Sequence, residues 1–397
     1  MIRSLLTPLF CACAAVAFSS SARAELFTMT PDDDYSVLEG ARAGDVVEVQ
    51  PGTYHFRVFL TANGTESDPI IIRAADPSNP PVWDLTGMRA ENFPGSSTRG
   101  DRGRGCWQVT GRHYQISSIV MQGCTTSSGN AAGLRAIDTE SLVLRDMVFR
   151  DNEVGLSGNG ENTLVEHCEF SGNGRRSSPP QHNAYIYGGS ITMRYNYIHD
   201  TRGGQNLHIR AVTSVIEYNW IARASNYEVD MMTNQSGADV QNMLFRGNVL
   251  LSGESPENGG QIFVLHNDSG HSNLTLNLQL IGNTIIVQGG GNPALVNARD
   301  DRLAAASLVM RNNVVVGTNV ILRTREDDVE ASGSQNWLPM GHNAVWASGT
   351  LTGPSPGFED FAGLNFVPSA DSALIGGAEA GFELEREVFG GETEPMR

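Results

Sequence analysis

The stretch from His182 to Arg210, HNAYIYGGSITMRYNYIHDTRGGQNLHIR, carries both a repeat and the densest polar constellation of the chain. Tyr185 and His208 are 23 residues apart, as are Tyr187 and Arg210, and Asn196 precedes Asn219 of the next near-copy, EYNWIAR, by the same 23. If that spacing is one turn of a coil of strands, equivalent residues stack directly over one another in successive turns.

The repeat continues on both sides. The segments QISSIVM, VLRDMVF, LVEHCEF, MRYNYIH, IEYNWIA, LFRGNVL, LIGNTII, MRNNVVV and GHNAVW align when Ile119, Met147, Cys168, Asn196, Asn219, Asn248, Asn283, Asn313 and Asn343 share a column. Their spacings are 28, 21, 28, 23, 29, 35, 30 and 30, so constant strands are separated by loops of variable length, the signature of a solenoid. With successive turns about 4.8 Å apart, each asparagine amide reaches its counterpart in the next turn. Such a ladder is worth about 0.5–1.5 kcal/mol per bond. Asparagine also tolerates the left-handed backbone of tight corners.

A second column runs through AGLRAID, VGLSGNG, HNAYIYG, QNLHIRA, YEVDMMT, QIFVLHN, PALVNAR and VILRTRE. Alternation sends Ala184, Ile186, Leu207, Ile209, Val229 and Met231 inward, and Tyr185, Tyr187, His208, Arg210 and Asp230 outward. Upstream, GDVVEV, TYHFRVFL and PIIIRAA are short strands punctuated by Pro51-Gly52 and Asn63-Gly64, with a short capping helix expected near Tyr35 to Ala43. The stretch from Asn79 to Gly105, dense in Pro, Gly, Ser and Arg, reads as a long loop. The expected architecture is all-β: a single parallel β-helix solenoid, right-handed as consecutive parallel strands are, with a short N-terminal cap and an extended C-terminal tail.

Arg3, the apolar run Leu5 to Phe18 and the small-residue site Ala22-Arg23-Ala24 read as a secretory signal over residues 1–24. The solenoid is assigned to 25–375 and the tail to 376–397. The expected product is a monomer, secreted or periplasmic, without a membrane span. After the signal, Cys106, Cys124 and Cys168 remain; Cys106 and Cys124 are candidates for a disulfide in an oxidising compartment, and Cys168 falls on the interior column. The chain has no lysine, and its net charge of −17 becomes −19 once Arg3 and Arg23 are lost, which argues against nucleic acid as a partner. From Arg89 to Arg223, however, 14 Arg face 12 Asp or Glu, so a locally positive groove on an acidic body is expected, suited to a polyanion.

These motifs resemble the right-handed parallel β-helix, or pectin-lyase-like, superfamily. GDVVEVQPGTY followed by NGTESDPIIIRAA is similar to the opening turns of alginate lyase and chondroitinase-B type polysaccharide lyases, and SPGFEDFAGLNFVPSADSALIGGA to the tails of such carbohydrate-active proteins. The resemblance covers roughly residues 35 to 350 and implies a lyase acting on an acidic polysaccharide. It also implies a Lys base, an Arg acid and calcium. With no lysine, that base cannot be carried over.

The outward column supplies a different set. His208 is the candidate base, since an imidazole titrates near neutrality. Tyr185, one turn away, is the candidate acid, and the two roles are exchangeable between syn and anti substrates. Arg210, with Arg202 on the preceding loop, is expected to neutralise a uronate carboxylate. His182, Asn183, Tyr187 and His266 are further candidate substrate-binding residues. Asp230 and Glu228 are the candidate ligands for calcium, although two carboxylates are few for an ion that takes six to eight oxygens. An inverting glycoside hydrolase, for which Asp300 and Asp301 form the adjacent acidic pair, a C5 epimerase and a non-catalytic glycan-binding or adhesin module are the alternatives on the same fold.

Overall fold

The alternating Val, Ile and Leu of each repeat build three short strands per turn, and every turn lays its strands in parallel register on those of the turn before. The structure, a computed structural model, describes residues 24–87, 89–92, 104–175, 181–234, 236–253, 260–268, 274–300, 303, 305–325 and 329–382. Three parallel sheets run the length of the coil: a first of 13 strands, a second of 12 and a third of 10. The strand Thr213–Glu217 belongs to the first, Trp220–Ala222 to the second and Val229–Met232 to the third, and this order recurs turn by turn. The helix Ser36–Gly40 buries Leu38 at the N-terminal end, where a cap was expected. Among the described residues no helix is long and apolar enough to cross a membrane.

The interior is filled by aligned apolar columns. In the third sheet, Leu134, Leu156, Ala184, Leu207, Val229, Phe263 and Val296 sit over one another, all within a few per cent of complete burial. Trp83 lies in a second-sheet strand, Val82–Asp84, inside the stretch the sequence reads as a loop. Its indole stacks on Tyr54 with ring centroids 4.4 Å apart and meets Trp107 edge-on, so the loop is interrupted by one of the largest pieces of the core. Cys106 and Cys124 are joined by a disulfide. Cys168 is buried and free, and burial pushes its thiol up to about 12.

The asparagine ladder occupies the corner between the first and second sheets. Asn196 donates through Nδ2 to Asn219 Oδ1 at 2.8 Å, and the same bond links Asn219 to Asn248, Asn248 to Asn283 and Asn283 to Asn313. The ladder ends on Asn336, not on Asn343. Asn343 instead serves a different corner, where its Oδ1 accepts from Ile321 N. The left-handed residues are also one place earlier than the sequence suggests: Tyr195, Tyr218, Gly247, Gly282, Asn312 and Gln335 have φ between 54° and 64°, and each ladder asparagine follows one of them. Positive φ makes the turn, and the asparagine behind it fastens the turn to its neighbour.

The closing stretch Phe358–Asp360 with Asn365–Pro368, inside the range assigned to the solenoid, is a hairpin, the antiparallel pair among the described strands, while residues 383–397 of the expected tail lie outside the described residues. The hairpin folds back along the outside of the second sheet instead of continuing beyond the last turn. Phe366 stacks on Trp220 at 5.8 Å, and Phe358 and Leu364 join Ala222, Leu251 and Ile286 in a second apolar cluster. The first 23 residues, which hold nearly all of the predicted signal, lie outside the described residues.

Candidate active site

Parallel register with alternation sets one row of side chains on the outer face of the third sheet: Gln108, Arg135, Ser157, Tyr185, His208, Asp230, Val264 and Asn297. A second row, two residues further along each strand, holds Tyr187 and Arg210 side by side, then Met232 and His266. The candidates Tyr185, His208 and Asp230 therefore stand on three consecutive turns.

The Tyr185 ring meets the His208 imidazole edge-on, centroids 4.6 Å apart and planes at 88°. Behind it, His208 Nδ1 lies 3.1 Å from Asp230 Oδ2, close enough for charge attraction but poorly aligned for a full hydrogen bond. The other oxygen of Asp230 is 3.0 Å from His266 Nδ1. Burial works to raise the Asp230 carboxyl, but the two imidazoles outweigh it and hold the group far below the ordinary carboxylate range. A carboxylate against Nδ1 favours the proton on that nitrogen. Accordingly Nε2 is the acceptor, and Arg210 Nε donates to it at 3.2 Å. His182 stacks on His208, centroids 4.5 Å apart, and also meets the Tyr185 ring edge-on at 5.7 Å. Burial, then the neighbouring imidazole, lowers its pKa well below the ordinary histidine value, so it is neutral.

Several expected roles do not survive this geometry. Arg210 is 5 % exposed, and its Nη1 and Nη2 meet the two oxygens of Asp268 at 2.7 and 2.6 Å. The loss of hydration would lower its pKa, but Asp268 more than compensates and raises it. Both ends of the guanidinium fork are thus occupied, so Arg210 does not present a free fork to a carboxylate. Arg202 is not brought beside it: Arg202 pairs with Asp151 at 2.5 Å, at the corner between the second and third sheets. His182 is buried and borders His208 rather than the groove.

Asn183 and Glu228 turn inward altogether. Asn173 Nδ2 donates to Asn183 Oδ1, Asn183 Nδ2 to Asn206 Oδ1 and Asn206 Nδ2 to Glu228 Oε2, a second buried ladder at the corner between the second and third sheets. Alternation would place both on the outer face, but each stands at the corner just before its strand, where the backbone turns. Glu228 Oε1 accepts from Ala224 N at 2.9 Å, and burial, resisted by these two hydrogen bonds, raises its pKa to about 8. A largely protonated carboxyl inside the coil and an Asp230 committed to two imidazoles do not make the calcium site the sequence suggests. Among the described residues no group of three or more His, Cys, Asp or Glu is arranged to hold a metal ion.

Toward the N-terminal turns the row opens into a groove of about 320 Å³ lined by Arg104, Asn130, Arg135, Ser157, Tyr185 and Tyr187, among others. Arg135 Nη2 is 3.4 Å from the Tyr187 hydroxyl, and the Tyr185 and Tyr187 rings lie 5.5 Å apart. Neither Arg104 nor Arg135 has a carboxylate partner among the described residues, and Arg104 Nε is buried without a hydrogen bond. On the C-terminal side a second groove, about 290 Å³, is lined by His266, Asn297, Arg299 and Asp300. Tyr187 and His266 therefore line grooves on opposite sides of the His208–Asp230 pair.

A model of the right-handed beta helix region matches residues 108–285. This chain is a right-handed parallel β-helix. The β-helix is 16% identical to an alginate lyase from Paenibacillus sp. str. FPU-7, with a TM-score of 0.57 over 77% of this chain and 99% of that one. It is 12% identical to the pectate lyase Pel9A, with a TM-score of 0.53 over 89% of this chain and 92% of that one. Such likeness shows the shared fold. No curated protein matches the β-helix by sequence.

Arg104 and Arg135 are the residues of this face that sequence reasoning passed over, and the pairing of Asp268 with Arg210 is a contact it did not foresee. For Arg135 the signal was present, because LRAID stands in the same column as AYIYG and carries its Arg in register with Tyr185. Arg104 precedes its strand, and Asp268 sits 58 residues from Arg210 in sequence, so periodicity says nothing of either.

Proposed function

We propose that this β-helix is an exported polysaccharide lyase that cleaves a uronate-containing polysaccharide by β-elimination. The observation that carries the proposal is the Tyr185–His208–Asp230 stack: two proton-transferring side chains one turn apart, not bonded to each other, with a carboxylate behind the imidazole. β-Elimination asks for that division of labour. The C5 proton leaves to a base, its electron pair forms the C4–C5 double bond, the C4–O bond breaks, and the departing oxygen takes a proton from an acid.

In this scheme His208 accepts the C5 proton at Nε2, with the substrate displacing the Arg210 Nε donor, and Asp230 stabilises the imidazolium. Tyr185, half-buried and lining the groove, protonates the leaving oxygen. Arg210, braced by Asp268, holds the imidazole through Nε until substrate takes that place. Both structural relatives are named lyases, and the proposal extends their reaction class to this chain with a lysine-free site. An inverting hydrolase instead needs two carboxylates facing one another across about 6.5–9.5 Å. Asp230 is poorly suited to that part, since both its oxygens face imidazoles.

The test is to incubate residues 25–397 with alginate, pectate, glycosaminoglycans and neutral glycans, following ultraviolet absorbance and reducing ends together. Both signals rising on an acidic polymer supports the lyase. Reducing ends without absorbance, or no reaction with any acidic polymer, sinks it.

A further inference from the structure

The groove beside Tyr185 holds two guanidinium groups that no acid within the described chain neutralises, on a protein that otherwise carries a large negative excess. Many arginines on the coil are paired with acids: Arg145 and Arg194 share Glu166, Arg246 pairs with Glu217, Arg223 with Asp200 and Arg210 with Asp268. Arg104 and Arg135 have no such pair among the described residues, and they converge on one concavity. Arg135 is in register with Ser157 and then Tyr185, which puts its backbone two turns, or about 10 Å, from that of Tyr185. Its guanidinium leans back toward the Tyr187 hydroxyl, and so toward the reacting turn.

We infer that Arg104 and Arg135 form an anionic-sugar subsite that binds the carboxylate of a uronic acid unit, filling the charge-neutralising role that Arg210 is not free to take. The inference rests on the lyase reading of the Tyr185 face and adds to it the residues that select an acidic substrate. Guanidinium suits the task because its planar fork meets a carboxylate with two parallel hydrogen bonds. Partial burial strengthens the attraction by excluding water and screening ions. Tyr187 and Tyr185 supply flat apolar faces beside the charge, on which a pyranose ring can rest, and Asn130 supplies a neutral hydrogen-bonding group at the rim.

Binding, measured separately from turnover, decides the matter. Calorimetric titrations of the whole mature protein would use hexasaccharides of polygalacturonate and of alginate, with a carboxyl-reduced polygalacturonate hexasaccharide as the uncharged control. The proteins are the unsubstituted chain, Arg135→Ala, Arg135→Lys and Arg104→Ala, each checked for the β-sheet circular dichroism spectrum of the parent. The subsite predicts that at least one acidic hexasaccharide binds, that its reduced form binds at least 10-fold more weakly, and that Arg135→Ala loses at least 10-fold in affinity for the acidic ligand only. Arg104→Ala should lose several-fold, and Arg135→Lys should restore part of the loss. If no acidic hexasaccharide binds, or if Arg104→Ala and Arg135→Ala bind acidic and reduced ligands as the parent does, the inference is overturned. A protein that binds acidic sugars through these arginines but produces no unsaturated product keeps the subsite and loses the lyase assignment. One that turns over substrate with binding indifferent to both arginines does the reverse.

Discussion

Replacing Asn219 with alanine tests what holds the coil together. Its Oδ1 accepts from Asn196 N and Nδ2 at 2.9 and 2.8 Å, and its Nδ2 donates to Met193 O and Asn248 Oδ1 at 2.9 and 3.0 Å. Asn196 Nδ2 keeps Val165 O, and Asn248 Oδ1 keeps the Asn219 backbone N–H, so neither is stranded. The Asn196 backbone N–H, buried at the corner, loses the side-chain acceptor it points at. Four bonds at about 1 kcal/mol each, with the orphaned donor at the upper end of its range, give a loss of about 3–5 kcal/mol. That is a large share of the 5–15 kcal/mol typical of a folded protein. The assay is equilibrium urea unfolding followed by circular dichroism, with Asn242→Ala as control. Asn242 is exposed and bonds only sideways to Asn277 among the described contacts, so its loss should stay within about 0.5 kcal/mol. A destabilisation below about 1 kcal/mol for Asn219→Ala, or one equal to the control, would refute the ladder as a structural fastening.

Three further outcomes follow from the buried charges and the groove. Asp230→Asn removes the negative charge shared by His208 and His266 while keeping the shape; turnover should fall by about 10²–10⁴-fold, and a rate within threefold of the parent would remove the imidazole–carboxylate pair from the mechanism. Glu228, raised to about 8 by burial, contributes stability that is complete below the ordinary glutamate value near 4.5 and is lost as pH rises through 8. Measured against Glu228→Gln, the parent should therefore lose relative stability between pH 4 and pH 9, and a pH-independent gap between the two unfolding curves would show that Glu228 does not titrate there. Arg135→Ala should raise KM for an acidic polymer more than it lowers kcat, and should flatten the dependence of KM on salt, as removal of a substrate-binding charge requires.

How much of this was legible before the structure depends on how local each signal is. The columns that place Tyr185, His208 and Asp230 in register follow from alternation along single strands, and the register is as the spacing predicted. The corners are different. Asn183 and Glu228 obey the parity of an outward residue, yet the backbone bends there and turns both into the coil, which no period of two encodes. Asn336 and Asn343 each precede a short apolar run, and only the path of the chain shows that Asn336 completes the ladder. The Arg210–Asp268 pair joins a strand end to a loop two turns further on, so the neutraliser that the sequence proposes is already neutralised in the fold. Trp83 was hidden by the Pro-rich segment around it, although a buried tryptophan needs only a three-residue strand to hold it.

The central claim, that His208 and Tyr185 divide the proton transfers of an elimination, is tested most directly by the initial rate of unsaturated product formation by His208→Asn on whichever acidic polysaccharide the parent cleaves. Asparagine retains a polar group of similar reach, so the fold and the Asp230 contact need not collapse. The account predicts a fall of at least about 100-fold; a rate equal to that of the parent would contradict it.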